Sequence, residues 1–108
     1  MKFPTVEFKN EQIDFLTNYC PKDDFFTSNN ETDLICDNLE FLGKTTDELR
    51  AIRNSVVKFY TELKDNELNI EKKRTDKYWK FHNAMMSVTA VIDNYMYNYN
   101  MTRNIFEI

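Results

Sequence analysis

One histidine, two cysteines and one pair of adjacent aspartates are the side chains in this chain whose types first suggest catalysis or metal binding. His82 stands near Tyr78, Met85 and Met86, and as a metal ligand it would need carboxylates or thiols at matching helical spacing. The Glu-x-x-His spacing used by metal sites in helical bundles is absent. Cys20 or Cys36 could serve as a nucleophile only if the fold brings a base such as His82 against it. The two cysteines form no Cys-x-x-Cys pair, and with one histidine they cannot complete a zinc set. Both are expected as reduced thiols in the core. Asp23 and Asp24 fall in a polar stretch, where neighbouring carboxylates are ordinarily solvated. The plain reading of His82 is a hydrogen-bonded side chain at the edge of a helical core. Gly43 is the single glycine, so no Gly-rich phosphate loop exists. No catalytic residue, metal or cofactor is expected, and the chain reads as a non-enzyme.

Two other groups of residues carry more information. Lys72, Lys73, Arg74, Lys77 and Lys80 form a basic run beside Tyr78 and Trp79, a combination that can hold a nucleic-acid backbone or another anionic partner and stack a base. Positive charge at a helix start opposes the macrodipole, which gives the run a reason to exist apart from folding. The second group is a row of apolar side chains, Trp79, Met86, Ala90 and Tyr97. It lies on a different side of the helix from a longer stripe of Tyr78, Phe81, Met85, Val88, Ile92, Met96 and Tyr99. A helix apolar on two faces must bury both, in its own bundle or against a partner. Trp, Met and Tyr are also types enriched at interface centres.

The elements that must position these residues are helical. One glycine and two prolines argue against tight β-hairpins, while 42% hydrophobic and 15% aromatic content supply enough apolar surface for one ordered domain over residues 1–108. Phe3, Val6 and Phe8 suggest a short extended arm. Asn10 is expected to cap a helix through Ile13, Leu16 and Tyr19 that ends at Pro21, followed by a loop pinned by Phe25 and Phe26. A second helix is expected from Asn30 or Thr32, presenting Leu34, Ile35, Leu39 and Leu42, with Gly43 as terminator. Thr45 with Glu48 forms a capping box ahead of the seam Leu49, Ile52, Val56, Phe59 and Leu63. Asp65 and Asn66 read as a break, and the last helix is expected over 75–100, with Ile105, Phe106 and Ile108 docking beyond it. The expected class is all-α: a small bundle of three to four helices whose two long C-terminal helices run antiparallel.

Charge and composition narrow the function. With 14 basic and 18 acidic residues the net charge is −4, which disfavours nucleic acid as the default partner without excluding a local basic patch. No leader-like apolar run opens the sequence and no uncharged stretch approaches a bilayer span, so a cytoplasmic protein without membrane contact is expected. Thirteen Asn, and ten Lys against four Arg, reflect AT-rich codons. In texture the chain resembles small accessory proteins of AT-rich phages or mobile elements, which often bind and block a host macromolecule. These features lead to the expectation of a noncatalytic inhibitor or regulator acting through protein–protein contact, with a homodimer as one form of partner. The alternative is a nucleic-acid-associated module using the basic, aromatic start of the last helix.

Overall fold

A computed structural model describes residues 5–21, 29–68 and 76–106, with side chains over 5–21, 30–66 and 76–99. Within these residues every regular element is a helix, in the order α1 (Asn10–Asn18), α2 (Asn29–Leu39), α3 (Thr46–Leu68) and α4 (Asp76–Phe106). The expected bundle is therefore observed. α3 and α4 form the principal pair, joined by α1 against α2 and by α2 against α4. Their antiparallel sense follows from two links: Arg53 Nε donates to Asp93 Oδ1 at 2.7 Å, whereas the later Lys64 sits 5.1 Å above the ring of the earlier Tyr78.

Each start signal has a local cause. Thr45 Oγ1 accepts from the Glu48 backbone N–H at 3.3 Å and donates to Glu48 Oε1 at 3.0 Å, so the cap ahead of α3 forms where the sequence placed it. At α1 the cap is Lys9, one residue before the expected Asn10, and the Gln12 carboxamide accepts from the Lys9 N–H at 2.8 Å. Residues 5–9 form the extended arm. Val6 N–H donates to Ser55 Oγ at 2.7 Å and Phe8 packs edge-on against Phe59 at 6.3 Å, which fastens the arm along α3.

Leu16, Ile35, Leu39, Phe41, Leu49, Val56, Tyr60, Val88, Val91 and Ile92 share one buried core. The α3 seam is there, but Tyr60 is its largest fully buried member and lies beside the expected residues. Several boundaries differ from expectation. α2 ends at Leu39, and Glu40 after it takes the left-handed φ of 53° that Gly43 was expected to supply; Gly43, at φ 75°, serves the turn that follows. This early stop turns Phe41 into the core, edge-on to Tyr95 at 5.3 Å, and leaves Leu42 65% exposed. Leu34 is likewise exposed rather than core-facing. Asp65 and Asn66 do not break α3, which continues to Leu68. α4 exceeds its expected length: 31 residues, about 46 Å at 1.5 Å per residue, in a molecule 54 Å long. Ile105 and Phe106 continue this helix; Ile108, Phe25 and Phe26 lie outside the described residues.

Candidate functional site

Burial separates the two faces of α4. Phe81, Ala84, Val88, Val91 and Ile92 are buried, and Tyr78, Met85, Met96 and Tyr99 are half-buried. The second row is exposed: Trp79 41%, Met86 40% and Tyr97 64%, with Ala90 intermediate. The helix therefore needs its first stripe for the core and carries the row on its outer side. Asn83 and Asp93 are exposed as well, and they fill the gaps in the row, so that positions 79, 83, 86, 90, 93 and 97 follow steps of four and three. Apolar type alone had hidden these two polar members; the heptad-like rhythm was the signal that could have found them.

At the start of the row the aromatic side chains meet. Tyr78 and Trp79 pack edge-on at 5.3 Å, and the His82 ring stacks parallel to Tyr78 at 6.3 Å while presenting its edge relationship to Trp79 at 5.6 Å. The expected hydrogen bond is not there: among the described residues, His82 Nδ1 is buried without a partner. No thiol reaches that nitrogen, so neither cysteine is activated through it. Lys77 and Lys80 are exposed beside Trp79, whereas Lys72, Lys73 and Arg74 lie outside the described residues, as do Asp23 and Asp24.

The cysteines divide. Cys36 is buried, and burial, reinforced by Asp33 and Asp37, pushes its thiol up to about 11. Cys20 is exposed, contrary to a core position, because α1 has already ended at Asn18. It lines a cavity of about 380 Å³ with Phe15, Tyr19, Glu31 and Leu34. Here the sequence reading missed a buried polar pair, in which the Tyr19 hydroxyl donates to Glu31 Oε1. Burial and then that carboxylate raise the Tyr19 phenol far above its ordinary range, so it is held protonated. His82 is not part of this cavity. A second groove of about 350 Å³ lies between the arm, α2 and α3, with Val6, Phe8 and Ile52 among its lining. On its rim Lys9 pairs with Glu40 at 3.5 Å and Lys44 with Glu48 at 3.7 Å, and Glu7 and Asp47 add two further carboxylates.

Among the described residues no group of three His, Cys, Asp or Glu is placed to hold a metal ion, and no helix is long and apolar enough to cross a membrane. No protein-family model, curated protein or solved structure matches the chain. The most apolar exposed feature of α4 is its row of Trp79, Met86 and Tyr97.

Proposed function

We propose that this chain is a noncatalytic protein that works by protein–protein contact through the Trp79, Met86 and Tyr97 row, as an inhibitor or regulator of another macromolecule, in the manner of phage or mobile-element accessory proteins. The observation that supports this reading is the exposure of three large apolar side chains in line on a helix whose opposite face already completes the core. Trp79 and Tyr97 supply large contact area with few rotors to immobilise, and the flexible Met86 thioether adapts to the surface it meets. The test is capture of partners from host lysate by the wild type and by a Trp79→Ala/Tyr97→Ala variant shown to be folded by circular dichroism. A protein retained by the wild type and lost by the variant supports the reading; identical retention by both refutes it.

The nucleic-acid reading rests on exposed Lys77, Trp79 and Lys80 at the start of the same helix. Heparin and DNA columns discriminate it. Retention that falls steeply with salt would replace the protein-contact reading, and elution of the chain near physiological salt without delay removes it.

A further inference from the structure

We infer that the partner of the α4 row is a second copy of this chain, packed antiparallel about a two-fold axis that crosses the exposed row at the level of position 88; this rests on the reading that the row is a contact surface. The spacing carries the argument. Trp79, Met86, Ala90 and Tyr97 are separated by seven, four and seven residues, a series that reads the same in both directions and is centred on position 88. In a two-fold interface residue i meets j while j meets i. Centring on 88 therefore sets Trp79 against the partner copy's Tyr97 and bulky Met86 against small Ala90, each pair twice. The polar members obey the same symmetry, since Asn83 meets Asp93. The six positions have the alternating four and three spacing of a helix–helix seam, and in antiparallel pairing the two kinds of seam position face each other in every layer.

Charge selects the antiparallel sense. Asp93 Oδ1 accepts from Arg53 Nε at 2.7 Å, and the second carboxylate oxygen is the acceptor this pairing assigns to the other copy's Asn83 amide. Lys80, one turn before Asn83, comes beside the same carboxylate. A parallel pair would instead oppose Asp93 to Asp93 and Lys80 to Lys80. Size sets the strength. The exposed parts of Trp79, Met86 and Tyr97 amount to roughly 300 Å² per copy, from side chains that bury about 150–250 Å² when fully covered. A stable interface uses about 800 Å² per partner, so this pair is reversible and depends on concentration.

Sedimentation equilibrium of the wild type should show an average mass that climbs from monomer toward dimer as concentration rises from about 10 μM to about 1 mM, the range of weak association. Met86→Glu, on a half-exposed site that leaves the core intact, should weaken association at least about tenfold, equivalent to about 1.4 kcal/mol. Register is read in a Cys20→Ser background under a glutathione redox buffer. Met86→Cys mixed with Ala90→Cys should cross-link several-fold faster than either variant alone. Faster self-linking of Met86→Cys would overturn the antiparallel register, and a strictly monomeric wild type at about 1 mM would overturn the second copy altogether. A monomer that still captures a different protein through Trp79 and Tyr97 would sink this inference alone and leave the contact reading standing; loss of both sinks both.

Discussion

Tyr60→Phe removes one oxygen from the centre of the molecule and should be felt twice, at neutral and at alkaline pH. The Tyr60 side chain is fully buried, and its hydroxyl donates to the Leu16 carbonyl at 2.9 Å. α1 ends two residues after Leu16, so this carbonyl has no donor within its own helix. The variant leaves it buried and unpaired, which costs about 1–3 kcal/mol. For a chain of this size that corresponds to a fall in Tm of about 4–12 °C. The alkaline effect has the opposite sign. Burial holds the Tyr60 and Tyr19 phenols protonated above the ordinary tyrosine range, and holds the Cys36 thiol up to about 11. In the unfolded chain these groups lose their protons first, near about 8.5 for Cys and about 10 for Tyr. Their contribution to stability is therefore complete below those values and disappears as pH rises through the higher folded ones. Each group steepens the loss by up to about 1.4 kcal/mol per pH unit. Urea unfolding measured from about pH 7 to about pH 11 should show the wild type losing stability steeply above about pH 10. The Phe variant starts lower and falls less steeply by one group's share, so the two curves converge. Equal stability at neutral pH would refute the hydroxyl–carbonyl link, and parallel alkaline curves would refute the buried, neutral phenol.

Two further outcomes test the local structure. Glu40→Gly should stabilise the chain by about 0.5–1 kcal/mol, because Glu40 holds a left-handed φ of 53° and its ion pair with Lys9 is solvent-exposed; Gly43→Ala should destabilise it by about 1 kcal/mol through φ 75° alone, since nothing lies near enough to clash with an added methyl. Denaturant melts that give both substitutions the same sign would contradict the assigned turn. Thr45→Ala should cost about 1 kcal/mol, with amide exchange at Glu48 and Leu49 accelerating before that at Val56, and unchanged exchange there would show that the cap is not holding the first turn.

What the sequence disclosed was mostly what neighbouring residues decide among themselves. The Thr45 cap and the Leu49 to Leu63 seam depend on interactions within a turn or two, and both were legible. So was the row on α4, from period alone. The end of α2 was not, because the choice between Glu40 and Gly43 as the left-handed residue is settled by where Phe41 finds its pocket against Tyr95. A terminator displaced by three residues exchanged Phe41 for Leu42 in the core. Asp65 and Asn66 read as a break by propensity, yet the packing of half-buried Leu63 and the seat of Lys64 on Tyr78 keep the helix going past them. The Tyr19 and Glu31 pair joins the residue just past α1 to α2, beyond the reach of any local pattern. Which side of α4 would be exposed was also hidden, since a helix period records two apolar faces without saying how many neighbours exist to cover them.

The bond from Tyr60 to Leu16 also imposes an order of events during synthesis. α1 and α2 leave the ribosome first, yet the carbonyl that ends α1 waits for a hydroxyl 44 residues later, and Leu16 and Ile35 share their core with Ile92 on α4. At about 5–20 residues per second, the wait for that hydroxyl lasts about 2–9 s and the wait for Ile92 about 4–15 s. During it the apolar side chains of the leading half are in water or in the care of a chaperone. α3 and α4 can close on each other as soon as both exist, and the older half then folds onto the younger.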